Sequence, residues 1–196
     1  MYKEGKQIQL RDMQAEDVEE WARWQTSDAH WKTLDAPYYH QEESRPLEEI
    51  AQEQLAKLAR NADRPRPHRV AAIARAEDNS YLGMVSWYWI SQETYWPALG
   101  IVIYDPANWG KGYGYEALGL WSQYLLDANT QFVRLDLRTW SGNKGMMRLA
   151  EKVGYMLEAR FRKARIVNEQ YYDGIGYGLL RDEWQQRYPQ GFAAAL

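Results

Sequence analysis

A glycine-rich loop between a strand-like run and a helix-like run constrains the fold of this chain more than any other feature. The loop reads Trp109-Gly110-Lys111-Gly112-Tyr113-Gly114-Tyr115, and the segment after it carries an apolar stripe at helical spacing: Ala117, Leu120, Trp121, Tyr124 and Leu125. Glycine allows positive φ and lets a backbone approach an anion closely. Amide groups at a helix start also meet the positive end of the helix dipole. The loop therefore predicts a phosphate-binding site.

The segments on either side of the loop predict a mixed sheet. Before it, short turn signals separate three strand-like runs, which indicates an antiparallel meander over residues 70–75, 81–90 and 95–104. After the helix, Val133, Leu135 and Leu137 alternate with charged residues, as in a half-buried strand. A strand, a helix and a second strand in this order predict a parallel crossover.

The C-terminal third predicts a helix followed by a hairpin. The helix covers residues 143–153 and ends at Gly154, and the hairpin strands cover 155–167 and 170–180. We treat residues 183–196 as a C-terminal tail. A chain of 196 residues has the size of one ordinary domain, so we expect a single domain over residues 1–196.

The N-terminal third predicts a short strand, two helices and a loop. Ile8 and Leu10 share one face of the strand, and an amphipathic helix follows from about Val18. Residues 28–43 carry proline, histidine and aromatic residues without a period, so we interpret them as an irregular loop that covers a site. A second helix is predicted from Ser44 to about residue 61.

Phosphate-binding loops of several kinds share this composition. A Walker A loop is excluded because no Gly-Lys-Ser/Thr follows. A dinucleotide fingerprint fits Gly112-x-Gly114-x-x-Ala117, with Asp136 at about the distance of an acidic ribose ligand. That fingerprint belongs at the start of repeated strand-helix-strand units, whereas here a meander precedes it. From the loop alone, a tight connection without a ligand also remains open.

Composition excludes several function classes. The formal net charge is −3 and there is no cysteine, so disulfides, thiolate nucleophiles and cysteine-rich metal sites are absent and no broad basic field favours nucleic acid or an anionic membrane. No apolar run approaches the ~20 residues that span a bilayer. We expect a soluble cytoplasmic protein, a monomer or homodimer, without a metal and without nucleic acid or membrane as partner.

Several motifs in order resemble the GNAT superfamily of acetyl-CoA-dependent N-acetyltransferases, in particular its RimJ/RimL-like branch. They are Leu99-Gly100-Ile101-Val102-Ile103 with Asp105-Pro106 and the glycine loop, then Asn143, then Arg148-Leu149-Ala150-Glu151-Lys152-Val153-Gly154-Tyr155. The resemblance implies a mixed α/β (α+β) GNAT-like fold. Its mostly antiparallel seven-stranded sheet is splayed between strands 4 and 5 and flanked by about four helices. It implies acetyl transfer from acetyl-CoA to a primary amine of a small molecule or of a protein N-terminus.

The resemblance also implies a set of cofactor contacts. The backbone of Val102, Ile103 and Tyr104 is expected to meet the pantetheine arm. The loop is expected to hold the pyrophosphate through Gly110, Lys111, Gly112, Tyr113, Gly114 and Tyr115. Asn143 is expected on the pantetheine side, although asparagine before a helix is also a good N-cap.

The usual proton carriers of the family are missing. The tyrosine that serves many relatives as general acid is replaced by Ala150, the serine of the branch by Met146, and the two glutamates proposed as bases by Arg165 and Ala98. The remaining candidates are weak: Glu93, Asp136, Glu158, Tyr155 and Tyr172. Catalysis through positioning and a backbone N–H on strand 4 is one explanation. An acyl-CoA-binding protein with little or no catalysis is the alternative.

The acceptor is expected where strands 4 and 5 separate, beside the loop 28–43. Trp87, Trp89 and Trp96 lie near this region in the predicted sheet. Their rings are suited to hold a cationic amine by cation–π attraction. Packing on the sheet face explains the same alternation equally well.

Overall fold

The computed structural model describes residues 2–26, 28–39, 45–61 and 68–196. Within them an eight-stranded sheet comprises β1 Lys3–Glu4, β2 Ile8–Arg11, β3 Val70–Arg75, β4 Tyr81–Ser91, β5 Trp96–Ile103, β6 Arg134–Trp140, β7 Met156–Val167 and β8 Gln170–Leu180. The helices of this described part are α1 Val18–Arg23, α2 Leu47–Asn61, α3 Tyr113–Ala128, α4 Lys144–Val153 and α5 Arg181–Arg187. None of them is long and apolar enough to cross a bilayer.

The sheet has the order β1-β2-β3-β4-β5-β6-β8-β7, and every neighbouring pair is antiparallel except β5 and β6. The predicted mixed, mostly antiparallel sheet and the parallel crossover through α3 are confirmed. The predicted number of seven strands is one too low. The additional strand is β1, which has two residues and pairs Lys3 with Leu10. A strand this short is not recognisable from side-chain alternation.

The sheet opens between β5 and β6, which are strands 4 and 5 in the family's count. These strands pair only at Ala98 with Asp136 and at Leu99 with Leu137. Beyond these pairs β5 stays bonded to β4, and β6 stays bonded to β8 as far as Trp140. The two halves of the sheet therefore diverge and leave a gap at this end.

The core lies between the sheet and α3. This helix buries a nearly continuous run of side chains, including Leu118, Leu120, Trp121 and Leu125, each with no exposed surface. The buried Glu116 in its first turn accepts a hydrogen bond from the Gln7 amide at 2.9 Å. This bond ties the start of α3, and with it the glycine loop, to the strand edge at β2.

The C-terminal residues pack on α3. Residues 183–196 contain most of α5 and a 3₁₀ turn, Phe192–Ala195, and Phe192 has no exposed surface. A Cβ atom at Gly119 would lie 2.0 Å from the Phe192 ring, so the glycine permits this close contact. The described part thus has one helix, α5, beyond the predicted four, because the segment after β8 forms a helix of about two turns that docks on the core.

The N-terminal elements agree with the prediction in order. The predicted start of the second helix at Ser44 lies outside the described residues, and the described helix begins at Leu47. Within the loop predicted over residues 28–43, the described part, 28–39, contains a 3₁₀ turn, His30–Thr33. This segment lies across the open end of the sheet, where the Leu34 carbonyl accepts a hydrogen bond from the Trp140 indole at 3.0 Å.

Candidate active site in the gap between β5 and β6

A cavity of about 580 Å³ occupies the gap between β5 and β6. Its wall is built from both diverging strands, part of β4, the glycine loop, the start of α3, one face of α4, and the 3₁₀ turn with the residues after it. Its lining includes the glycine loop with α4, and also residues 31–38 with the end of β6. We call these the loop end and the acceptor end.

The loop before α3 is held in one conformation by two local bonds. Asp105 accepts a hydrogen bond from the Ala107 amide at 2.8 Å and so begins a 3₁₀ turn, Pro106–Asn108. The indole of Trp109 donates to the Ile103 carbonyl at 2.7 Å. Gly110 and Gly112 then adopt φ of 75° and 96°, a backbone region that residues with a Cβ atom rarely adopt.

Consecutive backbone amides are left free at this loop. The amides of Tyr115 and Glu116 donate to the Gly112 carbonyl, but those of residues 110–114 find no acceptor in the described part of the chain. They lie at the N-terminus of the 16-residue α3, where the dipole favours negative charge. An added Cβ at Gly110 would meet nothing within 4 Å, so open space adjoins the backbone there. The arrangement suits a phosphate group.

Basic side chains from α4 border the same end of the cavity. Arg148 and Lys152 are one helical turn apart and both contact the cavity, and Lys152 Nζ lies 4.5 Å from the centroid of the Tyr115 ring. Lys111 and Tyr113 of the predicted loop residues do not border it, whereas Gly110, Gly112, Gly114 and Tyr115 do. Sequence reasoning missed Arg148 and Lys152, although their i, i+4 spacing beside the loop was a usable signal.

The backbone of β5 is available in the gap. The carbonyl of Ile103 lies on the gap side, where it accepts the hydrogen bond from the Trp109 indole. The amide of Tyr104 donates to the Leu82 carbonyl on the β4 side. Since residues along an antiparallel strand direct their polar groups alternately to its two sides, Ile101 and Ile103 face the gap. Val102 and Ile103 border the cavity and Tyr104 does not. The same alternation directs the backbone groups of Val102 and Tyr104 toward β4, so of the three predicted backbone contacts only that of Ile103 faces the gap. Its contact with pantetheine stays a prediction.

Asn143 serves as the N-cap of α4 and also borders the cavity. Its Oδ1 accepts from the Met146 amide at 2.9 Å, and its Nδ2 donates to the Leu34 carbonyl at 3.2 Å. The residue therefore joins α4 to the segment that covers the acceptor end. Its contact with pantetheine stays a prediction.

The structure places none of the candidate acids and bases against the cavity. Glu93 lies in an exposed turn and bonds Ser91 at 3.0 Å. Asp136 and Glu158 share Arg134, with N–O distances of 2.6 and 2.5 Å. Arg134 thus engages both carboxylates, and neither Asp136 nor Glu158 borders the cavity.

The two candidate tyrosines are engaged elsewhere. Tyr155 is buried and its hydroxyl bonds Ser122 at 2.7 Å, and burial raises the pKa of the phenol well above its ordinary value. A phenol in this state is a poor proton donor to a cavity it does not reach. Tyr172 packs edge-on against Trp140 with ring centroids 4.8 Å apart, and its hydroxyl bonds Gln170.

The tryptophans expected at the acceptor pocket pack elsewhere. Trp87 and Trp89 meet edge-to-face at 5.0 Å and both contact Phe132, so they fill the core between sheet and α3. Trp96 lies under the Arg134 guanidinium at 5.2 Å. The aromatic residues that do border the cavity are Trp31, Tyr38, Trp109, Tyr115 and Trp140.

Asp35 is the one carboxylate among the described residues that border the cavity. Asp35 is exposed at the acceptor end. The protein atoms around its carboxyl nevertheless raise the pKa of this group by desolvation. Sequence reasoning missed it, because it lies in the loop 28–43, whose pattern identifies a covering segment but no individual residue.

Comparison with known proteins gives one consistent family. Residues 7–156 match the model of the acetyltransferase (GNAT) domain. A curated relative, the SPbeta prophage-derived uncharacterized N-acetyltransferase YokL of Bacillus subtilis, is 26% identical over 113 residues, which are 58% of this chain and 63% of that protein. The chain thus spans less than two thirds of that relative's length.

Solved structures share the fold at low sequence identity. A GNAT-family acetyltransferase from Bacillus anthracis superimposes with a TM-score of 0.70 at 17% identity, covering 93% of this chain and 99% of that one. Spermidine N-acetyltransferase from Vibrio cholerae, in complex with CoA and spermine, gives 0.69 at 16%, covering 91% and 98%. RimL, a ribosomal L7/L12 alpha-N-protein acetyltransferase in complex with CoA, gives 0.66 at 17%, covering 93% and 98%. Because the family model matches residues 7–156, which are most of this chain, the chain belongs to the GNAT acetyltransferases.

Proposed function

We propose that this protein transfers an acetyl group from acetyl-CoA to a primary amine. The observation that carries the proposal is the row of amides over residues 110–114, which find no acceptor in the described part of the chain and lie at the same cavity as the edge of β5 that separates from β6. A diphosphate needs donors at a helix start, and a thioester beyond it needs a water-poor gap in which an amine can meet it. Both requirements are met by one continuous cavity.

The loop end has the chemistry that coenzyme A requires. The amides and the α3 dipole suit the two phosphates of the pyrophosphate, and Arg148 and Lys152 add two positive charges on the facing helix. The gap-facing backbone of Ile101 and Ile103 offers donors and acceptors to the amide groups of a pantetheine arm. These matches support coenzyme A as the acyl donor.

Catalysis then rests mainly on positioning. Holding an amine beside a thioester is worth ~7–11 kcal/mol in barrier reduction when the geometry is close to that of attack. The gap-facing N–H of Ile101 is a suitable donor to the thioester carbonyl oxygen, on which negative charge develops. The absence of a glutamate or tyrosine at the family's usual positions is compatible with this arrangement.

Two neighbours in structure support a primary amine as the acceptor. One of them acetylates spermidine and another the N-terminal amine of a ribosomal protein, and both acceptors present a primary amine. We propose a cytoplasmic location, with which the lack of cysteine agrees. We also propose that the chain acts as a single domain, as a monomer or homodimer.

The test is release of the CoA thiol from acetyl-CoA in the presence of a broad panel of primary amines, with acetylated product identified by mass spectrometry. The expected result is amine-dependent release with at least one acceptor. Binding of acetyl-CoA without release across the panel would instead favour an acyl-CoA-binding protein. Stabilisation by NAD and not by CoA would overturn the donor assignment.

A further inference from the structure

Two unpaired side chains of opposite charge border the acceptor end of the cavity. Asp35 follows the 3₁₀ turn on one wall, and Arg138 lies on β6, on the other. Both residues are exposed, and within the described part of the chain neither side chain forms a hydrogen bond or an ion pair. They do not pair with each other, and no described residue forms an ion pair with either of them at the cavity.

We infer that the acceptor is a primary amine that also carries a carboxylate, with its ammonium group at Asp35 and its carboxylate at Arg138. This inference rests on the proposed function and narrows it. A guanidinium binds a carboxylate through two parallel hydrogen bonds, a geometry that a neutral amine cannot use. The same chemistry occurs in a free amino acid and in a peptide whose N-terminal amine is followed by an acidic side chain.

The surroundings of the two charges favour an acceptor of this kind over a polycation. The guanidinium of Arg165 lies 4.5 Å from the centroid of the Tyr38 ring, and Tyr38 borders the acceptor end. Two arginines therefore contribute positive potential where a polyamine would place its second charge. Positive charges here weaken the binding of a polycation, whereas they attract an anionic group.

The Asp35 side is suited to an ammonium group. Desolvation by the surrounding protein raises the pKa of this carboxyl, and no cation within the described residues offsets it. An incoming ammonium supplies the missing counter-charge. In the transfer, one ammonium proton passes to the Asp35 carboxylate and the amine nitrogen bonds to the thioester carbon. The C–S bond breaks, the sulfur leaves with the electron pair, and the second nitrogen proton neutralises the thiolate.

The experiment compares primary amines that carry a carboxylate with primary amines that do not. Phenylalanine, phenylalaninamide and phenethylamine are assayed by CoA release, together with the peptides Ala-Glu-amide and Ala-Gln-amide and with spermidine. We expect kcat/KM for the carboxylate-bearing member of each pair to be higher by about tenfold or more. The amino acid and the peptide separate the two sources of this chemistry. Preference for spermidine, or equal use of phenylalanine and its amide, would overturn the inference.

Variants assign the effect to the two side chains. Arg138→Gln should lower kcat/KM for the carboxylate acceptor by about tenfold, mainly through KM, and leave the amide acceptor within about twofold. Arg138→Glu should reverse the preference. Arg162→Gln on the exposed face of β7 removes the same charge outside the cavity and should change neither. Equal effects of Arg138→Gln and Arg162→Gln would show a general field rather than a local contact.

Calorimetric binding of the same acceptors to the CoA complex separates this inference from the proposed function. If no amine is acetylated, but phenylalanine binds and Arg138→Gln raises its Kd, the proposed function fails and the recognition of the acceptor by charge stands. If amines are acetylated and Asp35→Asn or Arg138→Gln leaves the acceptor Kd unchanged, the recognition fails and the proposed function stands. Melting temperature and CoA affinity of each variant show whether it is folded.

Discussion

Substitution of Gly110 by alanine separates the structural and the ligand-binding demands on the glycine loop. Gly110 has φ of 75°, and a Cβ atom there meets nothing within 4 Å. The substitution therefore carries backbone strain without a clash, which costs about 1–2 kcal/mol in the free energy of unfolding. For a chain of this size we expect the melting temperature to fall by about 2–8 °C.

The effect on coenzyme A binding should exceed this structural cost. The new methyl group enters the open space beside the free amides, and loss of one hydrogen bond to a charged phosphate is worth about 1.5–3 kcal/mol. The Kd for CoA should rise by about 10- to 150-fold. Titration calorimetry gives the Kd, and thermal unfolding without ligand gives the stability.

Gly191→Ala is the matched control. Gly191 also has a positive φ, 83°, and its Cβ would meet only Gln123 Oε1 at 3.7 Å, away from the cavity. This variant should lose stability while its Kd for CoA stays within about twofold of wild type. A wild-type Kd in Gly110→Ala, or equal losses of affinity in both variants, would refute the assignment of the loop to the pyrophosphate.

Other parts of the structure give four further predictions. Arg148→Gln and Lys152→Gln should each weaken CoA binding several-fold and flatten its dependence on salt, because each removes a charge that faces the diphosphate; an unchanged salt slope would contradict this. Phe192→Ala should cost about 3–5 kcal/mol in urea unfolding, since the ring is fully buried against α3, and a loss below about 1 kcal/mol would contradict the packing. Tyr155→Phe should leave kcat/KM within about twofold, because the hydroxyl bonds a buried serine; a loss of about a hundredfold or more would restore it as a general acid. Asp35→Asn should stabilise the free protein at neutral pH. Desolvation raises the pKa of the Asp35 carboxyl in the folded state above 3.8, so the ionised carboxyl destabilises the fold at pH values above the folded-state pKa. The stability gained by the substitution should shrink as the pH falls toward 3.8, a trend that urea unfolding at several pH values checks.

The features that were predictable from sequence are those with a local physical signature. The glycines that adopt positive φ, the alternation along β6 and the helix capped by Asn143 all follow from neighbouring residues. The meander and the crossover then follow from the order of the elements. β1 and α5 were missed because two paired residues and a seven-residue helix carry no periodic signal of their own.

The acceptor end was less predictable because it depends on contacts distant in sequence. Asp35 reaches the cavity through the bond from Asn143 to Leu34, which joins residues 109 positions apart. The prediction for Trp87 and Trp89 failed for a related reason. Alternation places both residues on one face of the sheet but does not state which face is the core, and in the structure they pack on Phe132. Tertiary packing decided both cases.

A crystal structure with bound CoA tests the central claim most directly. We expect the pyrophosphate oxygens to accept hydrogen bonds from the amides of residues 110–114, and the thiol end to lie in the gap between β5 and β6, pointing toward Asp35. Pyrophosphate density away from this loop, or a thiol end outside the gap, would contradict it.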